Sequence, residues 1–189
     1  MGINKSRPVY KKLRIDAQGR AHLIVTDLAC VPEDAIEADL AFSNIESWVV
    51  GICAPGIAAE ARGNLRAFRA VADLFWHLSH RLARETVGFR LYALGSEAFL
   101  WDVMNLGREA GLGEGEIFLN QAGTLRRRVY CTHCKTMNEH VGTNIVVCQA
   151  CGASLFVRDH FSRRLAAFMG VKVDAEVPGE VPSPEVLYP

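Results

Sequence analysis

Phe89-Arg90-Leu91-Tyr92-Ala93-Leu94 reads as a strand and is followed at once by Gly95-Ser96. Gly95-Ser96 then opens a helix. That helix carries Phe99, Val103, Leu106 and Ala110 on one face and stops at Gly111. Ile117-Phe118-Leu119 is the next strand. Upstream, Ser47-Trp48-Val49-Val50-Gly51-Ile52-Cys53 is a continuous apolar run that ends in a glycine loop, as in a buried parallel strand. Between the two runs a long helix is expected from about Asn64, a residue that suits an N-cap. Its apolar positions are Leu65, Phe68, Val71, Ala72, Phe75, Leu78 and Leu82, spaced by three and four. Strand–helix–strand–helix–strand implies a parallel sheet with right-handed crossovers.

Around this unit the chain is simpler. His22-Leu23-Ile24-Val25-Thr26 is a candidate strand, and Val31 to Leu40 suits a turn and a short helix. Downstream, a helix is expected from about Asp159 to Met169, with Phe161, Leu165 and Phe168 at i, i+4 and i+7 and Gly170 as its stop. Val171 to Pro189 contains Pro178, Pro182, Pro184 and Pro189 among several acids, the composition of an extended tail. The expected organisation is N-terminal strands and turns over 1–45, an α/β lobe over 46–125, a metal module with its helix over 126–171, and a tail over 172–189.

The chain has 189 residues, half of them hydrophobic, with 21 basic and 21 acidic residues. This suffices for a packed core, and the zero net charge argues against a general nucleic-acid binder. No apolar run approaches the ~20 residues needed to cross a bilayer. The basic N-terminus is not followed by an apolar segment, so it is no secretory signal and a cytoplasmic location is expected. Met1-Gly2-Ile3-Asn4-Lys5-Ser6 formally fits a myristoylation pattern, read here as a chance match.

Chemistry is concentrated in Cys131-Thr132-His133-Cys134 and Cys148-Gln149-Ala150-Cys151, thirteen residues apart. Each CxxC turns the chain so that both sulfurs face one point, and two such knuckles supply four thiolates to a tetrahedral metal. Strand-like Asn144 to Cys148 and Ser154 to Val157 complete a zinc ribbon, and Gly152 suits a knuckle's positive φ. A closed site of this kind is structural zinc; iron in a rubredoxin-like electron carrier is the rival ion. The other two of the six cysteines, Cys30 and Cys53, stand apart in apolar surroundings and read as buried hydrophobes. His133 and His140 read as surface residues, as do His77 and His80 on the long helix.

Arg126-Arg127-Arg128, with Arg158, His160, Arg163 and Arg164, form basic runs around the ribbon. Their alternatives are a solvated face and a nucleic-acid, phosphate or acidic-protein contact. A nucleic-acid ribbon needs an aromatic stacking set on its strands, which the sequence does not supply. Gly51-Ile52-Cys53-Ala54-Pro55-Gly56 lacks the glycine spacing of a dinucleotide fingerprint. No catalytic constellation is present.

Two resemblances follow. Val129 to Thr136, the Cys148/Cys151 knuckle and the run Leu155-Phe156-Val157-Arg158-Asp159-His160-Phe161-Ser162-Arg163-Arg164-Leu165-Ala166-Ala167-Phe168-Met169-Gly170-Val171 resemble the small zinc-ribbon subunit of bacterial dimethylamine monooxygenase. The resemblance implies a heteromeric, NADPH-dependent complex that demethylates dimethylamine to methylamine and formaldehyde. Haem, FMN and a 2Fe-2S cluster would sit on an oxygenase subunit and a reductase subunit. This chain would be a docking subunit with zinc at Cys131, Cys134, Cys148 and Cys151, no catalytic residue, and neither nucleic-acid nor membrane partners. Residues 88–121, from Gly95-Ser96-Glu97-Ala98-Phe99-Leu100 through Gly113-Glu114-Gly115-Glu116-Ile117-Phe118, are similar to the nucleotide-binding domain of ferredoxin-reductase-type flavoproteins. That family usually has Cys-Gly-Pro where Leu94-Gly95-Ser96 stands, which implies a lobe that kept the fold and lost the cofactor. The expected fold class is therefore α/β: a small parallel-sheet, Rossmann-like or ferredoxin-reductase-like lobe, then a four-cysteine zinc ribbon, a helix and an extended tail.

Overall fold

A computed structural model of the chain describes residues 6–31, 36–37, 45–51 and 64–189. The chain divides into two compact units: Tyr10–Gly123, and Thr124–Pro189 together with the segment ending at Val9.

In the first unit the elements run β1 (Leu13–Arg14), β2 (Ala21–Thr26), β3 (Ile36–Glu37), β4 (Ile45–Val50), β5 (Asn64–Phe68), α1 (Val71–Leu82), β6 (Phe89–Gly95), α2 (Glu97–Glu109) and β7 (Ile117–Gln121). Five of these strands, in the spatial order β5-β4-β2-β6-β7, form one sheet in which every pairing is parallel. The expected parallel-sheet lobe is thus present. One sheet face gathers Ile24, Ile45, Tyr92 and Leu94, covered by Leu13 of β1. Leu23, Val25, Leu91 and Ala93 alternate with these residues and are equally buried. Burial on both faces is why 91–94 is continuously apolar, whereas Arg90 near the strand's start is half-buried and pairs with Asp16 and Glu116. Helices α1 and α2 meet through Phe75 and Phe99, whose rings stack 5.4 Å apart. Buried Gly107 lets α2 approach β7, since a Cβ there would lie 2.6 Å from Ile117 Cδ1. Among the described residues no helix is long and apolar enough to cross a membrane.

Two expectations for this unit are corrected. Asn64 does not cap a helix: Asn64–Phe68 pairs in parallel with Glu46–Val50 as the edge strand β5. The helix starts at Val71 and buries Leu74, Leu78 and Leu82, whereas Leu65 is 37% exposed. The three-to-four spacing across 64–72 is shared by two elements, and the ladder to β4 outcompetes a helical turn. Ile36–Glu37 belongs to no helix; it pairs in parallel with β1. The rest of 32–40, like Cys53, the 52–56 loop and the start of the chain, lies outside the described residues. Cys30 is half-buried.

From β2 the chain runs outward to β4 and β5, then returns to the other side of β2 as β6 and β7. In open α/β sheets this reversal marks the crevice where ligands bind. Here the crevice holds a side chain of the protein. Asp27, immediately after β2, accepts hydrogen bonds from Ser96 N (3.2 Å) and Ser96 Oγ (2.5 Å), at the N-terminus of α2. Gly95 has φ +140°, and a Cβ there would collide with Asp27 Oδ1. Burial raises the Asp27 carboxyl above its ordinary range, against the pull of the Ser96 donors. The folded lobe therefore binds this proton more tightly than the unfolded chain does. The associated stability is complete at low pH and is lost as pH rises from the ordinary carboxylate value through the raised one. Asp27→Asn is expected to flatten the fall of unfolding free energy across that window in urea titrations at a series of pH values. Identical pH slopes for variant and wild type would contradict the assignment.

The second unit contains β8 (Arg127–Cys131), β9 (Met137–Val141), β10 (Ile145–Val147), β11 (Ser154–Ser162) and β12 (Ala167–Lys172), in the order β10-β11-β12-β8-β9. All neighbours are antiparallel except β12 and β8. The helix expected over 159–169 is absent: this stretch is the hairpin of β11 and β12, with Phe161 opposite Phe168 and Ser162 opposite Ala167. A four-residue turn brings the two phenylalanines together, so a spacing that fits one helix face also fits a cross-strand pair. Gly170 stops nothing. It sits inside β12, where a Cβ would lie 2.7 Å from Val129 Cγ1 and 3.0 Å from Leu155 Cδ1. The tail is extended, yet its end packs on its own unit. Val186 bridges Thr143, the Leu187 and Tyr188 amides donate to Gly142 O, and the Leu125 amide donates to Pro189 O.

Candidate metal centre

The two CxxC segments adopt one geometry twice. After β8 enters Cys131, the Lys135 amide donates to Cys131 O (2.9 Å) and the Cys131 amide donates to Thr136 O (2.9 Å). In the second segment the Gly152 amide donates to Cys148 O (3.0 Å) and the Cys148 amide to Ala153 O (2.9 Å). The residue after each second cysteine is left-handed, Lys135 at φ +69° and Gly152 at φ +71°. Glycine takes that conformation freely, whereas lysine bears a steric cost.

These turns bring the four sulfurs within 4.8 Å of one another. Cys131 Sγ lies 3.9 Å from Cys151 Sγ, and Cys134 Sγ lies 3.5 Å from Cys148 Sγ. Disulfides require ~2.05 Å, so all four are thiols. Four sulfurs placed ~2.3 Å from a central zinc in a tetrahedron lie about 3.8 Å apart, and the observed separations fit that arrangement. The donor set is all-sulfur and four-fold, which suits zinc or iron and leaves no ligand position open.

The thiols differ in acidity. Hydrogen bonds from the Thr136 hydroxyl and amide lower Cys134 to about 6. Burial works to raise Cys148, but the Cys151 and Ala150 amides outweigh it and hold the group below its ordinary value. The Ala153 amide pulls Cys151 down, yet burial and the neighbouring thiols push it up to about 11. Crowded thiols compete to be the anion, and a cation at their centre removes that competition.

Support around the cluster was not legible in the sequence. Asn138 is fully buried in β9. It donates to Val129 O (3.2 Å), lies 3.8 Å from Cys148 Sγ, and accepts from the Gln149 amide (2.9 Å). It therefore ties β8 to the second knuckle. Thr132 does the same for the first, donating through N and Oγ1 to Gly170 O at 3.0 Å. A lone asparagine in a strand offers no sequence signal until its register opposite Val129 is known. His133 and His140 are exposed and outside the cluster.

The arginine run separates by strand alternation. Arg126 is exposed. Arg127 is buried, its guanidinium 3.8 Å from the ring centroids of both Phe168 and Tyr188 and its Nη2 on Asp159 (2.9 Å). Arg128 pairs with Glu139 at 2.6 Å. On α1, His77 contacts Arg66, and the His80 ring lies tilted 4.3 Å from that of the exposed Trp76.

Known proteins carry the same two segments. Residues 53–117 match the family model of the dimethylamine monooxygenase subunit DmmA-like N-terminal domain. Residues 128–171 match the corresponding C-terminal domain, which spans both knuckles and the β11–β12 hairpin. The chain is 43% identical over 111 residues to the heme-dependent oxidative N-demethylase delta subunit of Ectopseudomonas mendocina (strain ymp). That match spans 59% of this chain and 63% of the relative's length. No solved structure matches. With both domain models of one family matched in order along more than half of its length, the chain belongs to the DmmA-like family of dimethylamine monooxygenase subunits.

Proposed function

We propose that this chain is the zinc-bearing accessory subunit of a heteromeric, haem-dependent oxidative N-demethylase. Its complex would use NADPH to convert dimethylamine to methylamine and formaldehyde. The chemistry would reside on a haem-binding oxygenase subunit and a reductase subunit carrying FMN and a 2Fe-2S cluster. The observation that carries this reading is the closed cluster of Cys131, Cys134, Cys148 and Cys151, four sulfurs within 4.8 Å. Zinc there has no redox chemistry and no open position, so it cross-links two knuckles and substrate has no access to it. The family match and the delta subunit relative support membership of such an assembly. Burial of Arg127 and pairing of Arg128 weaken the rival reading as a nucleic-acid ribbon, because they remove most of the Arg126–Arg128 run from the surface.

Purification from the native host tests the proposal. The expected preparation contains a haem protein and a flavin/iron–sulfur reductase together with this chain. Isolated, the chain is expected to be colourless, with a single zinc by elemental analysis. Omitting it from the reconstituted mixture is expected to reduce NADPH-dependent formaldehyde release from dimethylamine. Recovery of the chain without a haem protein would refute the assembly, and a red, iron-loaded chain would make it an electron carrier.

A further inference from the structure

A sheet with one packed face normally turns polar side chains outward on the other. In the ribbon sheet the packed face carries Cys131, Val129, Leu155, Val157, Phe161 and Phe168, all buried. The opposite face is apolar too. Register places Met137 opposite Tyr130 and Tyr130 opposite Met169. It places Val171 opposite Phe156 and Phe156 opposite Ile145. These two rows cross all five strands. Phe156 is 43% exposed, Tyr130, Met137, Met169 and Val171 are half-buried, and Ile145 at the edge of the second row is buried. Tyrosine, phenylalanine and methionine are the residues enriched where proteins meet, and an open sheet face holding them in continuous rows marks an interaction surface.

The charges beside these rows indicate the partner. Arg158, two residues beyond Phe156 on the same strand, is exposed. Lys135 Nζ stands 5.7 Å from the Tyr130 ring centroid. Arg128 and Glu139, on the same face by alternation, neutralise each other. The rim is therefore basic. A second copy meeting this face about a two-fold axis would bring the same cations toward the same cations, which disfavours self-association.

We propose that this face, centred on Tyr130, Met169 and Phe156, seats another subunit of the demethylase complex through an apolar patch rimmed by acidic side chains. The inference rests on the accessory-subunit reading and adds where the docking occurs. Co-expression of the full chain with the haem-carrying and reductase subunits of the same host tests it, with assembly followed by analytical ultracentrifugation. Zinc content and thermal melting report the fold of each variant. The double variant Tyr130→Ser/Phe156→Ser is expected to keep its zinc and lose at least about tenfold in affinity, as truncated interface anchors do. Arg158→Glu is expected to weaken assembly and to reduce its salt dependence. Val87→Ser removes an apolar side chain that is 91% exposed in the other unit and is expected to change nothing. If the double variant loses its zinc, Arg158→Glu alone decides the question. Wild-type affinity in the variants, with the wild-type complex intact, would overturn the docking face and leave the accessory role standing. A wild-type chain that joins no complex would overturn both. Wild-type self-association abolished by the double variant would make the face a contact between copies and overturn the proposal.

Discussion

Cys148→Ser is expected to abolish stoichiometric zinc binding and to unfold the two knuckles, while the parallel-sheet lobe remains folded. Cys148 is 2% exposed and forms a small cluster with Cys131 and Leu155, so the apolar core at this end of the ribbon consists largely of ligands. Each knuckle spans only a few residues and holds one left-handed position, Lys135 in the first and Gly152 in the second. A four-thiolate zinc site contributes an apparent ~10–16 kcal/mol to a module of this kind, far beyond what the remaining side chains at this end supply. Serine removes one ligand and leaves Asn138 Nδ2 without its sulfur contact. Amide hydrogen exchange provides the check: protection at residues 131–136 and 148–153 should vanish in the variant, and in wild type treated with a strong chelator. The lobe amides of β2 and β6 should stay protected. A variant that retains full zinc occupancy and wild-type exchange would contradict the assigned site.

Phe168→Ala is expected to destabilise the ribbon unit by about 3–5 kcal/mol, the range for truncating a fully buried aromatic residue. Phe168 is 1% exposed, packs edge-on against Phe161 at 5.0 Å, and forms one side of the sandwich around Arg127. The guanidinium Nη1 has no hydrogen-bond partner among the described residues, so ring contact is a large part of what compensates its burial. Leu165→Ala supplies the contrast. Leu165 lies half-buried in the turn between β11 and β12, and its truncation should cost less than about 1 kcal/mol, in line with half-exposed positions. On a helix over 159–169 the two residues would share a face, and their truncations would cost similar amounts. Denaturant titration of both variants separates the two structures.

Local patterns were sufficient wherever one element owned the pattern. The strand Phe89–Gly95 is continuously apolar from Leu91 to Leu94 because it lies inside a parallel sheet, and no helix of that length would be followed at once by Gly95-Ser96. The helix after it was equally legible, as was the cysteine cluster, because a CxxC turn fixes where its two sulfurs point whatever surrounds it. The tertiary structure decided cases where one spacing served two geometries. Leu65, Phe68 and Val71 fit a helix until β4 offers the 64–68 backbone a ladder. Phe161 and Phe168 fit one helix face, yet they pair across a hairpin because β8 and β11 flank β12 on both edges. Gly170 has the same letter in either geometry. Only the neighbouring Val129 and Leu155 show that it is needed for close approach rather than for stopping a helix. The roles of Arg127, Asn138 and Asp27 were not legible for a related reason. A polar side chain's role depends on what faces it, and those neighbours come from strands remote in sequence. Sequence alone therefore determined the parallel sheet and the four thiols, which rest on short-range periodicity and fixed turn geometry. Tertiary structure decided the strand at 64–68, the hairpin at 154–172 and the side chains that support the cluster, because those depend on hydrogen-bond partners and packing that only the folded chain brings together.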